Sequence, residues 1–246
     1  MKYQQLQIYR PTISKKITQN FGENRACITQ AGKIFGVKSK CPEGSQSFYA
    51  SMGMLGHSGI DIATFTGEDI YHAATFDGWW RPDADMSGGL GVDIVSREPL
   101  FFPYQIPAEL LNTATPHTQD GVEGFLHHVK MRYWHLDKQL GHEGKQVTCG
   151  SVIGLAGNTG ASSGPHLHFA PKWCLKDGRG IGNHNGFYGA FDPTPYYLHR
   201  VTAKDHAEML RLNIVPLSEM ERKDMAAQLS SAQAILLALQ RIIHKL

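Results

Sequence analysis

Gly164-Pro165-His166-Leu167-His168-Phe169 is the stretch whose reading decides the fold. If Leu167 through Ala170 is a strand, side chains alternate between faces, so His166 and His168 share one face while Leu167 and Phe169 share the other. Two steps of about 3.3 Å separate the histidine backbones by roughly 7 Å. Both can then border one metal-centred cavity while the apolar pair turns into the core. A lone histidine is ordinarily a satisfied core or surface residue, and two on one strand face shift that balance without settling it.

Upstream of this strand, Gly157-Asn158-Thr159-Gly160 reads as the turn that enters it, and Phe125 to Leu136 as an earlier strand. Alternation along that strand groups His127, Val129, Met131, Tyr133 and His135 on one face. His135 is therefore expected to end the strand, pointing with the apolar set. His127 would lie about 26 Å from it along a straight strand, and it and the remaining scattered histidines are read as non-catalytic. Further back, His57 and Asp61 stand four apart in Gly56-His57-Ser58-Gly59-Ile60-Asp61-Ile62-Ala63, where glycines argue against a helix. A bend at Ser58-Gly59 would fold His57 back towards Asp61. Alone, this octapeptide holds a turn histidine and a capping aspartate. Beside the His-x-His strand it completes two histidines and one carboxylate, a ligand set that leaves a fourth position for water in catalytic zinc sites.

Composition bounds the rest. The 246 residues suffice for one sizeable domain, or a domain with an appendage, and 41% hydrophobic residues supply a core. Twenty-six glycines point to a β-rich body with many turns. A net charge of +2 gives no electrostatic case for nucleic acid. Cys27, Cys41, Cys149 and Cys174 form no Cys-x-x-Cys pair, which argues against a cysteine zinc site, and Cys27 and Cys41 are open to reading as a disulfide or as two thiols. No apolar stretch is long enough to span a membrane, and Met1 to Arg10 lack the charged region and apolar run of a secretory signal.

Ile13 to Phe21 reads as a short strand, followed by a long loop to Gly56 that either walls a groove or is a surface excursion. Strands are expected at Asp69 to Ala74, Gly78 to Arg81, Gly91 to Ser96 and Val147 to Leu155, the last with a turn at Gly150. Residues 97–121, interrupted by four prolines, read as an irregular insertion over the sheet edge that lines the groove, since it directly precedes the strand delivering His135. A helix is expected over Thr202 to Asn213. Pro216 breaks it, and Ser218 with Glu221 forms a capping box for a long helix to Leu246. Met225, Leu229, Ala232, Leu236, Leu239, Ile243 and Leu246 make an apolar seam there, read either as packing on its own domain or as self-association.

Three motifs, Gly-His57-Ser-Gly-Ile-Asp61-Ile-Ala, Tyr133-Trp134-His135-Leu136 and Gly160-Ala-Ser-Ser-Gly-Pro-His166-Leu-His168-Phe, together resemble those of the lysostaphin/LytM-type zinc metallopeptidases, the glycyl-glycine endopeptidase family. The resemblance implies a mainly β fold, an antiparallel β-sheet peptidase domain over residues 1–200 (core about 17–197, insertion about 97–121), with a C-terminal helical segment at 201–246. It implies one zinc ion held by His57, Asp61 and His168, with His135 and His166 as the catalytic pair, either of which could be the general base. Tyr49 is a weaker candidate for assisting the oxyanion. The implied activity is hydrolysis of peptide bonds in peptidoglycan cross-bridges or stem peptides, at the bacterial cell wall. A phage-encoded enzyme and a secreted protein numbered from its mature start both fit the missing signal. The competing readings are a non-catalytic wall-binding or regulatory module on the same fold and a zinc hydrolase acting on another amide.

Overall fold

The protein is described from a computed structural model that covers residues 2–23, 26–29, 34–36, 41, 43 and 45–211. The chain divides into a unit Met1–Ala207 and a unit Glu208–Leu246. The long C-terminal helix expected from Ser218, and with it the apolar seam, lies outside the described residues.

In chain order, β1 (Ile8–Arg10) and β2 (Ile17–Gln19) precede a small antiparallel sheet of β3 (Ala26–Thr29), β4 (Ile34–Gly36) and β5 (Ser45–Ser47), which leads into the short α1 (Phe48–Ser51). The expected long loop thus carries structure of its own, and Cys27 is joined to Cys41. After it come β6 (Ile60–Ala63), β7 (Asp69–Tyr71), β8 (Gly78–Asp85), β9 (Gly89–Ser96), β10 (Leu100–Phe102) and β11 (Thr115–Gln119). The long β12 (Val122–Gln139) follows, then β13 (Gln146–Val147), β14 (Val152–Ala156), β15 (His166–Cys174), β16 (Tyr197–Thr202) and α2 (Ala203–Arg211). The main sheet runs β13-β8-β9-β12-β15-β6-β2, every pairing antiparallel, while β1 and β16 pair in parallel beside it.

Alternation sorts the faces. On β12, Val129, Met131 and Tyr133 are fully buried and meet Phe169 and Leu167 of β15, Ile62 of β6, and Val92 and Ile94 of β9 in one core. Burying side chains of this size contributes about 1.5–3 kcal/mol each. The opposite face carries Lys130, Arg132 and Trp134 beside Asp93, Lys172, Ala170 and His168.

One expectation is corrected here. Residues 97–121 are not irregular: β10 and β11 pair with Phe125–His127 and Val122–Leu126 of β12. Those partners precede His135 by at least eight residues, or about 26 Å of strand, so the segment extends the far end of the sheet instead of lining the histidines. Val147 to Leu155 turns at Gly150, φ 84°, as expected, with β13 before it pairing β8 and β14 after it pairing β7 and β12.

Candidate active site

His168 of β15 sits directly across from Asp61 of β6 on one side and Trp134 of β12 on the other. His57 joins them from the bend that precedes β6. Its amide donates to the Glu23 carbonyl at 2.9 Å, and its own carbonyl accepts from Gly22 at 2.8 Å. Glycine is needed at two points of this bend. A Cβ on Gly56 would fall 2.4 Å from the Gly22 carbonyl oxygen, and one on Gly59 would fall 2.8 Å from the His168 ring.

The three side chains converge. His57 Nε2 lies 2.9 Å from His168 Nδ1 and 3.0 Å from Asp61 Oδ1, and the last two are 3.2 Å apart. The other nitrogen of His57 decides its tautomer, because Nδ1 faces the Asn20 carbonyl at 3.1 Å, which can only accept. Nε2 of the neutral ring therefore turns a lone pair inwards, towards a carboxylate oxygen. His168 is 5% exposed, and burial brings its pKa down to about 4 despite its hydrogen bond to Asp61, so this ring is neutral at physiological pH. Burial raises the Asp61 carboxyl, but the adjoining His168 and His57 rings outweigh it and hold the group ionised, well below its ordinary range. Ligands about 2.0–2.1 Å from a tetrahedral ion stand about 3.3–3.4 Å from one another. The triangle observed here is slightly tighter than that, and the donor set of two imidazoles and one carboxylate fits a divalent cation. Among the described residues this is the group of histidine, cysteine and acidic side chains placed to hold a metal.

His135 reaches the same cavity by a route that strict alternation does not allow. The register of β12 against β9 shifts between Tyr133 and Leu136, and His135 adopts φ 65°, the left-handed region that non-glycine residues seldom occupy. The expectation that His135 points with Tyr133 into the apolar face is overturned by this bulge. Its ring lies 4.5 Å from that of His166 and 6.1 Å from that of His168. The turned backbone is held by the His135 amide, which donates to Gly88 at 2.9 Å, and by Nδ1–H, which donates to the Thr159 carbonyl at 2.7 Å. Burial lowers the His135 pKa.

His166 is half-buried and donates Nδ1–H to the Gly164 carbonyl at 2.8 Å, which leaves Nε2 directed at Asp61 Oδ2, 3.6 Å away. Both histidines are thus fixed in the tautomer that presents Nε2. The Tyr49 ring stands 5.7 Å from that of His57, and its hydroxyl accepts from Gln19 at 2.8 Å. His127, by contrast, is bound to Thr113 and the His128 carbonyl, away from the cavity. Asn20, Thr159 and Gly164 were not singled out from sequence. They act through backbone carbonyls, for which residue type carries no signal.

Residues 125–179 match the profile of peptidase family M23. The match contains His135, His166 and His168, while His57 and Asp61 precede it. Two curated relatives from Vibrio cholerae are similar over short stretches: the peptidoglycan DD-endopeptidase ShyA, 55% identical over 38 residues, and ShyB, 58% identical over 40 residues. These stretches are 15% and 16% of this chain and 9% of each relative's length. Among solved structures, the catalytic domain of lysostaphin from Staphylococcus simulans is 23% identical with a TM-score of 0.36, covering 57% of this chain and 78% of that one. A zinc-containing peptidase from Vibrio cholerae is 22% identical with a TM-score of 0.44, covering 77% and 39% respectively. The profile match lies on the strands that deliver three of the five converging side chains, so over these residues the chain is similar to the peptidases of family M23.

Proposed function

We propose that the chain is a zinc-dependent endopeptidase that hydrolyses peptide bonds in peptidoglycan cross-bridges or stem peptides. The observation that carries this reading is the convergence of His57, Asp61 and His168 on one point with His135 and His166 at its rim. His57, Asp61 and His168 would hold a single zinc ion. When bound, the ion supplies a Lewis acid that polarises a peptide carbonyl and lets water ionise near pH 7.

The chain's own residues account for the proton. His135, neutral and fixed with Nδ1–H on Thr159, presents Nε2 to accept the proton of the attacking water. His166, fixed the same way on Gly164, faces the same space, and once Nε2 carries a second proton it is placed to donate to the leaving amine or to the developing oxyanion. The two have equivalent tautomers, so they can exchange these parts. Asp61 offsets part of the ion's charge, and Tyr49, beside His57, is placed to help bind the oxyanion.

The substrate class rests on the likeness to peptidase family M23 and to the two Vibrio peptidoglycan endopeptidases, and it would put the site of action at the bacterial cell wall. No helix among the described residues is long and apolar enough to cross a membrane. Hydrolysis of purified cell walls, with and without a chelator and with zinc added back, tests the proposal. Release of new amino groups that stops with chelation and returns with zinc is expected. Wall binding without release would favour a non-catalytic module.

A further inference from the structure

The sheet face that carries His168 continues beyond the metal-binding side chains as a floor of charged groups. Three cations, Lys130, Arg132 and Lys172, share it with Asp83, Asp93 and, near Arg132, Asp85. Arg132 donates to both oxygens of Asp93 at 2.9 Å and also reaches Asp83 at 2.9 Å. Lys130 takes Asp93 Oδ2 at 2.7 Å, and Trp134 Nε1 donates to Asp83 at 2.6 Å. Both oxygens of Asp93 are thus engaged, while Arg132 and Trp134 share Oδ2 of Asp83. Lys172, directly across from Lys130 in the β12–β15 register, has no carboxylate or hydrogen-bond partner for its ammonium among the described residues.

That arrangement is costly. Like charges directly opposite one another destabilise a strand pair, and a partly buried cation without an anion loses hydration that nothing restores. Burial, with Arg132 and then Lys130 beside it, pulls the Lys172 ammonium down to about 7 against the opposing carboxylates. Lys172 lies on the same strand and face as His168, four residues on, or about 13 Å along β15, with only the small Ala170 between them. A peptide lying along this face with its cleaved bond at the histidines would therefore pass the unpaired ammonium.

We propose that Lys172 is a specificity-determining residue that holds a carboxylate of the substrate peptide, so that the site prefers peptides with a free acid near the cleaved bond to their amidated counterparts. This rests on the peptidase reading given above and names the substrate chemistry of the same site. A lysine serving only the fold would instead be replaceable by an apolar side chain with no change in substrate choice.

The test uses two synthetic cross-linked peptides, identical except that the side-chain and terminal carboxylates within four residues of the cleaved bond are free in one and primary amides in the other. Turnover and binding are both measured, the latter by calorimetry on the zinc-loaded protein. Wild type is expected to favour the free acid by about tenfold or more, the size of one charge-assisted hydrogen bond, with the difference in KM and Kd. Lys172→Met should erase the preference, and Lys172→Arg should keep it. Equal binding of both peptides by wild type, or a preference that survives in Lys172→Met, overturns the inference. If Lys172→Met does not fold, the wild-type comparison and Lys172→Arg still decide it. Discrimination in binding without any cleavage would sink the peptidase reading while leaving the role of Lys172 standing.

Discussion

His135 donates its Nδ1–H to the carbonyl of Thr159 across 2.7 Å while its backbone sits at φ 65°. A non-glycine residue held there stores about 1–3 kcal/mol, and the surroundings that impose it are specific. Thr159 Oγ1 donates to the Leu136 carbonyl at 2.8 Å and accepts from the Leu90 amide at 3.0 Å, which ties the turn before β15 to both sides of the bulge. Thr159→Val keeps the shape and removes both bonds. We expect kcat to fall about tenfold or more with KM and zinc content near wild type, checked by steady-state kinetics and metal analysis. Unchanged kcat would mean that the bulge holds His135 without Thr159.

Gly59 is expected to be intolerant for a reason that lies in the metal site. An added Cβ would sit 2.7 Å from the Phe169 carbonyl oxygen and 2.8 Å from the His168 ring, neither of which can yield without moving the ligand. Gly59→Ala should lower zinc affinity at least tenfold, read by competition with a chromogenic chelator. Wild-type affinity would show that the His168 ring has room to shift.

Beneath the site, His72 donates Nε2–H to the Phe76 carbonyl at 2.8 Å and accepts from the Tyr133 hydroxyl at 3.1 Å, which itself accepts from the Ala73 amide at 2.9 Å. The ring is fully buried and neutral, and burial takes its pKa down to about 4 against the opposing hydrogen bond to Phe76. In the unfolded chain the group titrates near its ordinary 6.5, so between these values the unfolded state binds more protons. Stability is therefore complete above about pH 6.5 and declines as pH falls towards 4, by on the order of 3 kcal/mol. Urea unfolding at pH 7 and pH 4.5 should show a smaller loss in His72→Gln than in wild type. Equal losses would remove His72 as a source.

Asp93→Asn tests the charged floor. It leaves Arg132 and Lys130 buried without their shared carboxylate, so unfolding free energy should drop by about 3–5 kcal/mol. A drop under 1 kcal/mol would show that Asp83 compensates.

The His-x-His strand and the His57–Asp61 bend were legible in the sequence because both are local: period-two alternation and a glycine bend fix which way those side chains face. The bulge at His135 was not, since Phe125 to Leu136 alternates without a break, and the shift arises only where β12 meets β9 and the turn at Thr159. Long-range pairing was hidden for the same kind of reason. The four prolines in 97–121 masked β10 and β11, which exist because Phe101, Phe102 and Phe125 pack across the extended end of β12. Short strands such as β1 and β16 depend on partners distant in the chain. The balance of charge around Lys172 could not be counted until register placed Asp83 and Asp93 beside Arg132.

The most direct measurement is zinc content and cell-wall hydrolysis on the same preparations of His168→Ala, His135→Ala and His166→Ala. His168→Ala should lose both zinc and activity. His135→Ala and His166→Ala should keep stoichiometric zinc and lose about 100- to 10,000-fold in turnover, the usual contribution of a positioned acid or base. Wild-type turnover in His135→Ala, or loss of its zinc as in His168→Ala, would contradict the division into metal-holding and proton-transferring residues.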